Sequence, residues 1–420
     1  MRHNRRLCLA VSWIATPLLA LPLCAASAPA GKPEDAGMSG ERLRRIHQVI
    51  QRHIDAGEMS GAVSLVARRG RIVHFEAHGL MDLESKKPMT KDAVFRLASM
   101  SKPVTAVAVM MLVEEGKIRL SDPVSRFIPE FKEMKVAMPR TARAPAGSPP
   151  QIYTVPADRE ITIRDLLTHT SGLMSSGIAQ AEANRLVHRS PEDTLATYIP
   201  RLAQVPLDFQ PGAQWAYSGG AGPDVLSRIV EIVSGQSYDE YLRTRIYEPL
   251  GMKDTFFFPL DDRRPRIPTL YLRDGLKKAP NQDGLSSKVY FSGAAGLMST
   301  AEDYLQFAQM LLNGGVLNGK RLLSPRTVEL MSSNHVGDLF NGRTPRAAHG
   351  VGFGFQMQVV LDSVQSDLRV SDGSYGWSGA YGTIFWVAPK EKMVELLMVQ
   401  TSNERLHADF ENAVMQAIVD

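Results

Sequence analysis

Residues 101–113, Ser-Lys-Pro-Val-Thr-Ala-Val-Ala-Val-Met-Met-Leu-Val, constrain the fold more than any other stretch. They have helical length, end near Gly116, and are apolar on almost every side. A helix without a polar face has to be covered all round. No stretch after residue 30 is long and apolar enough to cross a bilayer, so the cover has to be protein. A chain of 420 residues, 44% of them hydrophobic, supplies enough apolar surface for one large core or two medium ones. The 22% of charged residues is ordinary for a globular protein, and no repeat period is visible.

The elements around this helix fall into a pattern. Leu43, Ile46, Val49, Ile50 and Ile54 share one face of a helix over 41–57. The runs 62–67 and 72–77 flank Arg69-Gly70 and predict a β-hairpin. Residues 138–158 are rich in Pro, Ala and Ser and read as a long surface loop. Thr162, with Asp165 three positions on, opens a helix that runs to about Ser171-Gly172. Further helices are predicted over 220–248, interrupted at Gly235, over 300–312 and over 405–419. Runs 353–361, 381–387 and 394–399 read as strands. Strands thus sit at both ends and helices between them. The expected fold is α+β: an antiparallel sheet flanked by helices, joining both ends of the chain, with a mostly helical domain inserted. The corresponding boundaries are 31–95 with 290–420 for the discontinuous domain and 96–289 for the helical one. A site in the cleft between them is expected.

The first thirty residues stand apart. Arg2, Arg5 and Arg6 precede an apolar run from Leu7 to Leu23, and small residues follow from Ala25 to Ala30. This is the pattern of a secretory signal peptide over 1–30, which predicts a periplasmic or extracellular protein. Cys24 after Leu23 is a weak match to a lipoprotein signal, because Leu23 is bulky for that position. Cleavage removes Cys8 and Cys24, so the mature chain has no disulfide, cysteine nucleophile or thiolate metal site. The three arginines go too, and the formal charge of +4 falls to +1. That excludes charge as an argument for nucleic-acid binding.

Ser99-Met100-Ser101-Lys102 opens the apolar helix. Three positions apart on a helix puts serine and lysine on one face. A serine hydroxyl needs a nearby base to act as a nucleophile, and burial of a lysine favours its neutral form. About one S-x-x-K tetrad is expected by chance in a chain of this length, so its place at the mouth of a buried helix is what singles it out. Tyr217-Ser218-Gly219 follows a turn at Pro211-Gly212 and precedes a helix, and a tyrosine near a lysine can carry protons. Trp377-Ser378-Gly379-Ala380 stands at the entrance to the predicted strand 381–387, where glycine admits close backbone approach.

With these motifs the chain resembles the serine β-lactamase and penicillin-binding-protein superfamily, in its class C-like branch, and is most similar to the family VIII carboxylesterases. The stretches 166–173, Leu-Leu-Thr-His-Thr-Ser-Gly-Leu, and 294–303, Ala-Ala-Gly-Leu-Met-Ser-Thr-Ala-Glu-Asp, match that branch. The resemblance covers residues 33–420 and implies a β-lactamase-like fold. It also implies Ser99 as the acylated nucleophile, Lys102 as general base and Tyr217 as proton carrier. It leaves open which of Lys102 and Tyr217 takes the first proton. The backbone N–H groups of Ser99 and Ala380 become the oxyanion hole, and Trp377, Ser378, Gly379 and Gly219 line the substrate. No cofactor is implied.

Two positions depart from the β-lactamase pattern: Gly219 replaces an asparagine, and Trp377 replaces a cation that would pair with a substrate carboxylate. Both favour neutral acyl substrates and make Trp377 an apolar wall. The expected activity is therefore hydrolysis of short-chain esters. Alternatives are a β-lactamase or D-amino-acid peptidase, an acyltransferase, and a penicillin-binding module that does not turn over. The oligomeric state is not encoded in any motif.

Other signals carry less. His74 and His78 flank Glu76 on a predicted strand without a metal-binding motif, and a packing or surface role is expected. His169 is expected to be a structural hydrogen-bonding residue. Arg263, Arg264 and Arg266 read as solvated, and Phe256-Phe257-Phe258 as either acyl-pocket lining or core.

Overall fold

The computed structural model describes residues 29–140, 151–259, 261–280, 282, 288–341 and 349–420. Most of the signal segment read from the sequence, with both cysteines, lies outside the described residues. Within them, no helix is long and apolar enough to cross a membrane.

Eight antiparallel strands form the main sheet. They are β1 (Gly61–Arg68), β2 (Arg71–Asp82), β3 (Lys87–Pro88), β4 (Val351–Phe353), β5 (Gln358–Val360), β6 (Tyr375–Ser378), β7 (Ile384–Ala388) and β8 (Met393–Val399). Their order is β4-β5-β6-β7-β8-β1-β2-β3. The joint between the two ends of the chain is the β1–β8 pair, in register from Ala62 opposite Val399 to Arg68 opposite Met393. The β1–β2 hairpin turns at Arg69-Gly70, both with positive φ as a tight hairpin turn requires.

Helices cover both faces. On one lie α1 (Gly40–Asp55) and α6 (Glu404–Met415), packed on Ala62, Val66, Leu397 and Val399. Against the other face lie α2 (Ser101–Glu114) and α5 (Ala301–Leu312), over Val63, Leu65, Leu396 and Met398. The alternation of β1 thus feeds two different cores. All of α2 from Ser101 to Leu112 is buried, as its lack of a polar face demands. Its far side is covered by α3 (Ile163–Leu167), α4 (Ala221–Ser234) and the turns around them.

Several sequence expectations need correction. Residues 138–158 are not simply a loop: Lys135–Pro139 pairs antiparallel with Ile152–Pro156. Helix α3 has the expected capping box between Thr162 and Asp165 but ends at Leu167, because Thr168 and His169 leave helical geometry. The run 353–361 is a hairpin of β4 and β5, and β7 begins at Ile384 rather than 381. Trp377 and Ser378 are the end of their own strand, β6, and Gly379–Thr383 is the turn after it. Arg263 and Arg266 are paired with Asp254, and Arg266 also with Asp92, so they are not merely solvated. Phe257 is core, packed on Tyr238 and Phe291.

Candidate active site

Ser99 sits on a single 3-10 turn, Ala98–Met100, just ahead of α2. Ala98 has φ of 46°, a left-handed conformation that costs a residue with a Cβ about 1 kcal/mol or more. The turn is held on several sides. The Leu97 amide donates to Leu297 O, Tyr304 Oη donates to Met100 O, and the Leu297 amide donates to Ser101 Oγ. Pro103 follows Lys102 in the first turn of α2, where its missing N–H leaves no bond unmade.

Lys102 is fully buried. Its Nζ lies 3.1 Å from Ser99 Oγ, 2.8 Å from Gly219 O and 2.8 Å from Ala294 O. The two carbonyls can only accept. The amine donates to both and points its third direction at Ser99 Oγ. The structure thus brings the two side chains of the tetrad into direct contact.

Tyr217 arrives from the loop before α4. Its ring centre is 5.0 Å from Lys102 Nζ. Its hydroxyl accepts a hydrogen bond from Trp377 Nε1 at 3.4 Å. The Tyr217 ring therefore stands beside Lys102, with the phenol hydrogen-bonded to Trp377. Trp377 is more than the expected apolar wall, since its indole N–H addresses Tyr217 while its ring packs on Phe353.

Strand β5 pairs only with Tyr375 and Gly376 of β6, so Trp377 and Ser378 run past its end. Gly379 packs against the nucleophile turn: a Cβ there would lie 2.2 Å from Leu97 O. That contact sets the Ser99 turn against the end of β6. Among the described residues, the N–H groups of Ser99 and Ala380 have no acceptor. Free backbone donors are the groups that can receive a developing oxyanion. Gly219 faces open space apart from the Tyr217 ring, so the position has room for a side chain. Beside it runs a groove of about 410 Å³ lined by Met174, Gln180, Arg189, Tyr198 and Tyr290.

Two residues support the site from behind. His169 is buried, and its Nδ1 accepts from the Ser218 N–H at 3.2 Å while its ring centre lies 4.7 Å from that of Tyr217, the two planes tilted by 55°. Burial, reinforced by the Lys102 charge, pushes its pKa well below the ordinary histidine range, so the ring is neutral. This is the structural role expected of it. Asp224, on α4, was not singled out by the sequence. It is fully buried and accepts from Tyr290 Oη, Ser292 Oγ and the Ala294 amide at 2.8–3.0 Å. The carbonyl of that same Ala294 holds Lys102. Burial raises the Asp224 pKa, and the Lys102 charge opposes the rise. The sequence offered only the 294–303 stretch as a signal, and that pointed to Ala294 rather than to its partner.

Known proteins can be set beside this geometry. The Beta-lactamase family model matches residues 46–418. Protein Rv1367c of Mycobacterium tuberculosis is 36% identical over 84% of this chain and 88% of its own length. Esterase EstB of Burkholderia gladioli is 31% identical over 89% of this chain and 94% of its own. Among solved structures, that of EstCE1, described as a hydrolase with promiscuous acyltransferase activity, superposes with a TM-score of 0.75. Its sequence identity is 30%, over 90% of this chain and 99% of EstCE1.

Proposed function

The chain belongs to the Beta-lactamase family and is a serine hydrolase of that fold; from this premise we propose that it is a carboxylesterase for short acyl groups. The observation that carries the proposal is the buried Lys102 amine, held by two carbonyls with its third direction on Ser99 Oγ. In this reading Ser99 Oγ attacks the ester carbon and its proton passes to the Lys102–Tyr217 pair. The oxyanion is received by the Ser99 and Ala380 N–H groups. The alcohol leaves with that proton, and water then releases the acid from Ser99.

Trp377 supports ester over β-lactam substrates. It occupies the end of β6 with a ring and an N–H already directed at Tyr217, and it gives a substrate carboxylate no ion-pair partner. The likeness to EstCE1 supports a second outcome for the same intermediate, capture of the acyl group by an alcohol or amine. The leader-like composition of residues 1–30 supports export.

The test is a comparison of kcat/KM for p-nitrophenyl butyrate and for nitrocefin, using wild type and Ser99→Ala. The proposal expects the ester to be favoured and both activities to disappear in the variant. A clear preference for the cephalosporin would overturn it.

A further inference from the structure

A second cluster of polar side chains lies on the opposite face of the sheet, under α1. Glu76 and His78 are two positions apart on β2 and so point to the same face. His47 descends onto them from α1, a partner that the sequence spacing of His74, Glu76 and His78 does not reveal. His47 Nδ1 is 2.7 Å from Glu76 Oε1, and His78 Nδ1 is 3.9 Å from the same oxygen. One donor atom from each residue lies within 4.8 Å of the other two.

His78 points to a missing ligand. It is only 2% exposed, yet its Nδ1 has no hydrogen-bond partner. Its Nε2 is 2.8 Å from Ser64 Oγ, which is also 2.7 Å from His74 Nε2. The Ser64 hydroxyl has one hydrogen to give, so one of the two rings donates to it. With His78 as that donor, its Nδ1 carries a lone pair aimed toward Glu76 and His47. Metal-bound histidines are oriented in the same way, the far nitrogen donating to a neighbouring oxygen.

We propose that His47, Glu76 and His78 bind a divalent first-row metal ion, Zn²⁺ in the first instance, that clips α1 to β2 away from the catalytic cleft. Two imidazoles and a carboxylate are a common Zn²⁺ donor set. Tetrahedral ligands at Zn²⁺ bond lengths stand about 3.3 Å apart. The 2.7 and 3.9 Å separations bracket that spacing, and His47, half exposed, is free to adjust. His47 and Glu76 also line an open groove of about 500 Å³, with Leu43, Arg44, Gln48 and Val73, through which water can reach the cluster.

The test uses tag-free, chelator-treated protein, titrated with Zn²⁺ by calorimetry and with Co²⁺ by visible absorption. One equivalent is expected to bind, with the strong visible bands of four-coordinate Co²⁺. Zn²⁺ should also raise the Tm, since it binds the folded state. His47→Gln and Glu76→Gln alter partly exposed side chains, so both should melt like wild type in chelator. Each should weaken Zn²⁺ binding by at least about tenfold, and the double variant should lose the Tm rise. Absence of stoichiometric binding to wild type, or equal binding by wild type and the double variant, would overturn the proposal.

Discussion

The proposed reactivity of Ser99 rests on a few short contacts, each of which a single substitution can address. Trp377→Phe keeps an aromatic ring, though a smaller one, and deletes the N–H that reaches Tyr217 Oη. The loss of one long hydrogen bond is expected to lower kcat for p-nitrophenyl butyrate by about three- to tenfold, with KM little changed. Asp224→Asn tests the support behind Lys102. The Ala294 amide keeps an acceptor, but the buried negative charge is lost. A kcat lower by about tenfold is expected. A purely structural role would lower the Tm and leave kcat unchanged. At this scale the sequence was informative where a short motif fixed a contact, as between Ser99 and Lys102, with the Tyr217 ring beside them. It was silent on Asp224 and His47 because their partners, Ala294 and Glu76, lie far along the chain and no spacing rule connects them.

Elements were legible where a local rule governed them. The stripe of Leu43, Ile46, Val49 and Ile50 became α1, and Thr300 caps α5 through the Asp303 amide. Strand β6 was missed because Tyr-Gly-Trp-Ser has neither alternation nor length. Its glycine is needed by the sheet, since a Cβ at Gly376 would lie 2.1 Å from Phe385 O. Helix α5 also carries a pH-dependent cost. Asp303, in its first turn, accepts from the Asp254 amide and Thr255 Oγ1. Burial pushes its pKa up from 3.8 to about 6. A carboxyl raised on folding binds more protons in the folded state, so its contribution falls as pH rises from about 4 to about 6. Asp303→Asn is therefore expected to gain stability relative to wild type between pH 4 and pH 7, by at most about 3 kcal/mol. Urea unfolding at the two pH values measures this, and a pH-independent difference would contradict it.

For the whole molecule, the defining event is the return of the chain's end to its beginning. Strand β8 lies between β7 and β1, so the sheet that presents Trp377 is continuous with the hairpin near the start. The sequence showed strands at both ends but not which would touch, because pairing over such a separation has no local signature. Truncation before residue 390 removes β8 and α6 together and uncovers both cores. Loss of the near-UV dichroism and of all esterase activity is expected, and a folded helical remnant retaining native signal would contradict this.

The central claim is that Ser99, activated by Lys102, becomes acylated. The most direct measurement is acid quenching of the reaction with p-nitrophenyl butyrate, followed by intact mass spectrometry and peptide mapping. One butyryl group is expected on the peptide carrying Ser99 in wild type, and none in Ser99→Ala. A butyryl group on another residue, or undiminished hydrolysis by Ser99→Ala, would contradict it.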